Sequence, residues 1–167
     1  LIVSDYGKGI CTDLIVTESI KTCISNNVPV FIDPKGLKWH KYNSATYITP
    51  NVNETKDIVN MNLNNDNDFE RAGRILLDEY NFSNCLITRG SYGMSLINND
   101  QVIHTNTEAK EVFDVSGAGD TVIACLAAAI VSEASIESAI EFANKAAGIV
   151  VAYVGTRPVT KNELLKV

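Results

Sequence analysis

Apolar residues along this chain fall into two alternating patterns: short continuous runs, and stripes that recur every three to four positions. The first suits buried strands and the second amphipathic helices. Leu1-Ile2-Val3 reads as a buried strand. Leu14, Val16, Ile20, Cys23 and Ile24 then share a helical face, with Thr12 or Asp13 as cap and Asn26-Asn27 as stop. Val28 to Ile32 is a β-rich run whose start Pro29 restricts. Tyr47-Ile48-Thr49 predicts a further strand, closed by Pro50. Asp66 to Tyr80 carries Phe69, Ala72, Leu76 and Tyr80 in one stripe and predicts a helix, followed by a strand over Asn84 to Thr88. Met94 to Ile97 and Val102 to Thr105 flank Asn98-Asn99-Asp100, the mark of a hairpin.

Two helices are expected next, one from about Gly117 to Val131. The other starts near Ser135 and carries Ile136, Ala139, Ile140, Ala143, Ala147, Val150 and Val154. Thr160-Lys161-Asn162-Glu163 has the form of a capping box for a last short helix. Asn60 to Asp68, rich in Asn and Asp, reads as a solvated loop. Repeated strand–helix–strand units define an α/β class with a mostly parallel sheet and helices on its faces.

At 167 residues the chain can bury one substantial core. With 46% hydrophobic and 20% charged residues it is not a disordered chain. Lys and Arg number 14 against 20 Asp and Glu, a net charge of −6. That balance does not suit nonspecific nucleic-acid binding or an anionic membrane surface. The longest apolar run, Val122 to Val131, has ten residues, against the ~20 that a bilayer span needs. Cys11, Cys23, Cys85 and Cys125 form no Cys-x-x-Cys pair, and His40 and His104 are the only histidines. Zinc-site spacing is therefore absent, and a reduced, cytoplasmic protein is the simplest reading. The chain opens on Leu1, inside a strand, which reads as a fragment of something longer.

In open α/β sheets ligands bind beyond the carboxyl ends of the strands. Ser4-Asp5-Tyr6-Gly7-Lys8-Gly9, Asp33-Pro34-Lys35-Gly36, Thr49-Pro50-Asn51-Val52-Asn53-Glu54 and Thr88-Arg89-Gly90-Ser91-Tyr92-Gly93 each follow a strand. One such turn means only that strands need turn residues. Four on one rim, with Lys8, Lys35 and Arg89 among them, favour an anionic ligand. Asp114-Val115-Ser116-Gly117-Ala118-Gly119-Asp120-Thr121 leads straight into an apolar helix. Small residues there let backbone N–H groups face an anion, aided by the helix dipole, and Asp120 in the first turn could take a proton. The plainer alternative is that Asp120 stabilises the helix start and Gly-Ala-Gly permits close packing. No Gly-Lys-Ser/Thr follows, so this is not a Walker P-loop, nor is it a dinucleotide fingerprint.

Taken in order, these segments resemble the ribokinase-like (PfkB) carbohydrate kinases. Asp114 to Asp120 resembles the family's carboxyl-terminal signature, and Asn51-Val52-Asn53-Glu54 its Asn-x-x-Glu motif. Thr88-Arg89-Gly90 with Gly93 resembles its nucleotide-side turn, and Asn144-Lys145-Ala146-Ala147 the lining of its adenine pocket. Within the family, the Ser4 to Gly9, Asp33 to Gly36 and Thr49 to Asn51 stretches and the Gly155-Thr156 ending are similar to kinases acting on a heptose 7-phosphate. The resemblance implies a three-layer α/β/α fold. It covers the second half of the family domain, so an amino-terminal lid and sugar-binding part, and a nucleotidyltransferase domain, are expected outside these residues.

The same resemblance implies roles. Asp120 would be the catalytic base, with Gly117, Ala118 and Gly119 as the anion hole for the transferred phosphoryl group. Asn51 and Glu54 would organise Mg²⁺ through water, though Asn51 also reads as a helix cap. Thr88, Gly90 and Gly93 would border the nucleotide phosphates and ribose, and Asn144 and Ala147 the base, unless these two only pack their helix. Arg89 either pairs with phosphate or faces solvent. Lys8 and Lys35 would meet the substrate phosphate or stay solvated. Asp114, Ser116 and Gly155 would contribute to a monovalent-cation (K⁺) site. Trp39 and Tyr42 read as packing residues. The implied partners are ATP and a sugar phosphate, with a homo-oligomer of the parent protein left open. The isolated 167 residues are expected to be inactive. Another sugar or nucleoside acceptor, or a noncatalytic nucleotide-binding module, remains an alternative.

Overall fold

Side chains cap every α-helix but Ala118–Val131 among the described residues, 1–108 and 112–165, of this computed structural model. Helix α1 (Asp13–Ser25) is capped by Thr12, whose side chain accepts from the Ile15 N–H. Asn51 caps α2 (Val52–Val59) and Asn65 caps α3 (Asp66–Tyr80) in the same way. Asparagine also closes helices here. Asn60 and Asn81 take left-handed backbone angles after α2 and α3, and Asn27 does so just past α1. Asn tolerates that region better than other side-chain-bearing residues.

The chain forms two compact units: Leu1–Arg89 with Ser95–His104, and Gly90–Met94 with the described residues from Thr105 onward. The first holds a six-stranded sheet in the order β1 (Ile2–Ser4), β2 (Phe31–Asp33), β3 (Tyr47–Ile48), β4 (Asn84–Thr88), β5 (Met94–Asn98) and β6 (Val102–Thr105). Strands β1 to β4 pair in parallel, with Val3 opposite Ile32, Ile32 opposite Ile48 and Ile48 opposite Cys85. Every parallel crossover steps the same way along the sheet, and right-handed crossovers then deliver their helices to one face. Val3, Ile32, Ile48, Cys85, Ile87 and Ile97 on that face join Val16 and Ile20 of α1 and Phe69, Ala72, Leu76 and Tyr80 of α3 in a single core. Trp39 and Tyr42, in a 3-10 turn between β2 and β3, are fully buried there, as their reading as packing residues requires. Phe31 and Tyr47, on the opposite face, stack with ring centroids 4.8 Å apart.

In the second unit α4 (Ala118–Val131) packs along α5 (Ile136–Val150), and a short α6 (Lys161–Leu164) follows, begun by the expected Thr160–Glu163 capping box. Ala127 of α4 and Ala139, Ala143, Ala146 and Ala147 of α5 are buried, and such small residues let helix axes approach closely.

Some boundaries differ from the sequence reading, for local reasons. The second strand begins at Phe31, not Val28, because the Val28 N–H is still bonded to the Cys23 carbonyl at the end of α1. Helix α5 stops at Val150 rather than running on to Val154. The Val151 carbonyl is taken by the N–H groups of Phe113 and Asp114, and the turn tightens behind it. Helix α2 was expected as a polar turn; its eight residues bury only Thr55 fully. The Asn-rich loop ends at its Asn65 cap, and Leu63 pins it into the core.

Candidate active site

Because β1 to β4 run parallel, the turns that follow them share one edge of the first unit. Ser4 lies opposite Asp33 in register. Past β3 and β4, Asn51 and Thr88 form a parallel bridge, and the Thr88 N–H donates to the Pro50 carbonyl at 2.9 Å. Asn51 and Glu54 make a reciprocal capping box. The Glu54 N–H donates to Asn51 Oδ1, and the Asn51 N–H donates to Glu54 Oε2, each at 3.0 Å. Lys35 Nζ donates to the other oxygen, Oε1, at 3.0 Å. The structure thus brings Lys35, Asn51, Glu54 and Thr88 together, and the cap expected of Asn51 is real. The bond to Glu54 holds the Lys35 ammonium above the ordinary lysine value. Lys8 is exposed on the loop after β1.

Sequence reasoning missed what anchors this rim. Asp5 is buried. Its Oδ2 accepts from Lys41 Nζ at 2.6 Å and from the Tyr42 hydroxyl at 2.7 Å, and its Oδ1 from the Gly7 N–H at 2.7 Å. The Tyr42 hydroxyl also accepts from the Lys35 N–H at 3.2 Å, and Lys41 Nζ donates to the Cys11 carbonyl at 2.9 Å. One buried carboxylate therefore ties the Ser4–Gly9 loop to the Asp33–Gly36 turn. Burial pushes the Asp5 carboxyl up, but Lys41, Tyr42 and Gly7 outweigh it and hold it below its usual range. Burial, and then the bond to Asp5, push the Tyr42 phenol well above its ordinary value. An Asp two residues before a Gly, just past an apolar run, was the available signal, although that run, read as a buried strand, leaves Leu1 and Ile2 exposed.

Arg89 neither faces solvent nor extends over the rim. Its side chain is buried, ion-pairs with Asp66 at the start of α3, and lies over the Phe69 ring at 5.3 Å. Phe69 and the α3 dipole make this the favourable place for the pair. Arg89→Met, which keeps the packing on Phe69, is expected to lower the urea midpoint only slightly, since the lost partner, Asp66, lies at the surface. Nucleotide affinity should stay within about threefold of the parent, because a direct Arg–phosphate contact would be worth ~10-fold or more. Calorimetric titration with ATP separates the two.

In the second unit, α4 opens on Gly117, at φ +78°, which the left-handed region reserves mainly for glycine. A Cβ there would also lie 2.8 Å from Thr156 Cγ2. Ala118 and Gly119 form the first turn with Asp120, which is exposed. Helix geometry leaves first-turn N–H groups no acceptor inside the helix, so they concentrate positive potential at this end. Asp114 closes the loop before it. Its Oδ1 accepts from the Ser116 N–H at 2.9 Å and its Oδ2 from the Gly155 N–H at 3.0 Å. The bonds to Ser116 and then Gly155 hold its carboxyl below the ordinary range. Gly93 is buried at φ +85°, and an added Cβ would sit 1.9 Å from the Thr105 carbonyl oxygen, so no other residue fits. Gly90, whose carbonyl accepts from the Gly93 N–H, is exposed. Asn144 is buried and donates to the Asn106 carbonyl at 2.6 Å, which ties α5 to the loop after β6. Ala147 is buried on the same helix.

Asn51 and Glu54 are a hard-oxygen pair with one carboxylate. That suits magnesium, which keeps several waters and leans on substrate phosphates. Among the described residues no three His, Cys, Asp or Glu side chains converge as a metal cage, and a water-mediated magnesium needs none.

Comparison with known proteins gives this arrangement its class. The fold is that of Escherichia coli phosphofructokinase-2 in a complex with potassium, at a TM-score of 0.86 and 18% identity, covering 99% of this chain and 55% of that one. An Arabidopsis thaliana ribokinase complexed with ribose and ATP superposes at a TM-score of 0.84 with 26% identity, covering 93% of this chain and 52% of that one. The chain belongs to the pfkB family of carbohydrate kinases, whose pattern it matches over residues 8–162. It is 43% identical to the bifunctional protein HldE of Paramagnetospirillum magneticum and 46% identical to that of Haemophilus ducreyi. Those matches cover 99% and 98% of this chain and 34% of each relative, so it spans about a third of the length of the curated relatives it matches. Among the described residues no helix is long and apolar enough to cross a membrane.

Proposed function

We propose that this chain is the ATP-binding, catalytic-base part of a sugar-phosphate kinase, and that the parent phosphorylates D-glycero-β-D-manno-heptose 7-phosphate at O1. The product would be the 1,7-bisphosphate, on the way to an ADP-heptose for lipopolysaccharide or S-layer glycans. The observation that carries the kinase reading is the α4 start: a left-handed Gly117, small residues behind it and an exposed Asp120 in the first turn. The heptose acceptor is supported by 43% identity to an HldE protein across nearly the whole chain.

In this reading Asp120 takes the proton of the O1 hydroxyl as O1 bonds to the γ-phosphorus and the bridge to the β-phosphate breaks, releasing ADP. Backbone donors at Gly117, Ala118 and Gly119 hold the charge spread over the transferring oxygens. Asn51 and Glu54 hold water-mediated magnesium, which neutralises phosphate charge when bound. Thr88, Gly90 and Gly93 shape the phosphate and ribose side, and Asn144 and Ala147 wall the base. Lys8 and Lys35 meet the acceptor phosphate as point charges. The Asp114–Ser116 loop with Gly155 is where a monovalent cation would bind.

The test is a phosphoryl-transfer assay on the complete encoded polypeptide with MgATP, offering heptose 7-phosphate, fructose 6-phosphate, ribose and adenosine. The expected result is preferred formation of a heptose 1,7-bisphosphate, identified by mass and ³¹P NMR. Preference for another acceptor rejects the heptose assignment, and no transfer to any acceptor rejects the kinase. We further infer that the 167 residues alone do not turn over, since they correspond to about half of a phosphofructokinase-2 chain.

A further inference from the structure

We propose that Lys35 is a shared cation: it neutralises Glu54 while no metal is bound, and leaves for the acceptor's phosphate when that carboxylate turns to hydrated magnesium. The inference rests on the reading of Asn51 and Glu54 as the magnesium-organising pair, and deepens it.

The geometry sets the two cations in competition for one carboxylate. Glu54 is pinned by its own helix cap. One oxygen is committed to the Asn51 N–H, and the other faces Lys35 Nζ. The carboxylate is mostly buried, its side chain 14% exposed, whereas the lysine side chain is 54% exposed. Hydrated magnesium reaching this carboxylate would bring a divalent charge beside the ammonium, which repels it. The lysine is the partner free to move. Its backbone N–H is fixed by the Tyr42 hydroxyl, so a flexible four-carbon stem swings from a rigid base. That stem runs close to the Ser4–Gly9 loop, where a Cβ added at Gly7 would come within 3.7 Å of Lys35 Cγ. Lys8 lies on that loop. An ammonium reaching this loop is a point charge suited to a phosphate.

One ammonium serving two anions couples their sites. Magnesium then raises affinity for a phosphate-bearing acceptor, and by linkage the acceptor raises affinity for magnesium. The experiment is calorimetric binding of heptose 7-phosphate to the complete encoded polypeptide, saturated with a non-hydrolysable ATP analogue, with magnesium or with chelator. Magnesium should tighten binding by about fivefold or more. Lys35→Met should abolish that gain. Glu54→Gln keeps the cap, since Gln serves a capping box as Glu does. It should give tight, metal-independent binding, because the lysine is released without magnesium. Heptose lacking the phosphate should show no magnesium effect in any variant. The proposal is overturned if Glu54→Gln leaves metal-free affinity at or below the parent's, or if Lys35→Met retains the gain. Transfer to heptose 7-phosphate in the parent with either of those results sinks only the shared cation. Absence of transfer and binding in the parent sinks the kinase reading along with it.

Discussion

Asp120→Asn is expected to lower kcat for sugar-phosphate phosphorylation by a factor of about 10² to 10⁴, the span that a positioned general base supplies. ATP affinity should remain within about threefold, because the small-residue turn proposed to meet the nucleotide is untouched and Asn is isosteric with Asp. The competing account, in which Asp120 only steadies the start of α4, predicts something different. A first-turn carboxylate is worth about 0.3–1 kcal/mol to a helix, whereas the expected loss of rate corresponds to ~3–5 kcal/mol of barrier. Steady-state kinetics on the complete polypeptide, set beside the urea midpoint of the same variant, decides between them. A shifted midpoint with turnover within about tenfold of the parent removes Asp120 as the base.

Lys41→Met carries the second large effect, on stability. It leaves the buried Asp5 carboxylate with the Tyr42 hydroxyl and the Gly7 N–H but no counter-charge. Removing one partner of a buried pair costs about 3–5 kcal/mol. Asp5→Asn with Lys41→Met should recover most of that loss, a coupling that a double-mutant cycle in urea reads directly. The pH dependence follows from the sign of the shift. In the parent the Asp5 carboxyl titrates below its reference of 3.8. Its contribution is therefore complete above that value and drains away as pH falls through the lower folded pKa. In Lys41→Met the main opponent of burial is gone, so the carboxyl titrates higher and the proton relieves the unpaired charge. The deficit against the parent should be full at high pH, where the carboxyl is ionised in both proteins, and shrink as the solution is acidified through the raised carboxyl pKa of the variant. A deficit that stays constant over that range would assign the loss to packing of the lysine stem instead.

Local patterning made much of the architecture legible. Alternating runs and stripes mark the strands and α1, α3, α4 and α5 because each buries a single face whose period is written in neighbouring residues. The backbone shape of the Asp114–Asp120 segment was legible for a similar reason: its small residues announce a left-handed turn into a helix locally. What escaped depends on partners far apart in the chain. Asp5 meets Lys41 and Tyr42 across 36 and 37 positions. Nothing in a window around any of the three separates a buried ion pair from surface charge. Arg89 turns away from the rim because of Asp66, 23 positions earlier. Helix α2 was hidden by its brevity, since its cap is also the Asn-x-x-Glu motif and draws the eye to chemistry. That double use has a physical logic: the bonds that start the helix also orient the carboxylate.

The sheet is laid down in the same sequence as the chain. Each of β2, β3 and β4 pairs with the strand just before it in the chain. Among the described strands none is threaded between two already joined, so loop-closure costs within this stretch are met one short crossover at a time. Growth from a ribosome can therefore proceed as simple addition at one advancing border, and hydrophobic strand surface is covered soon after it emerges.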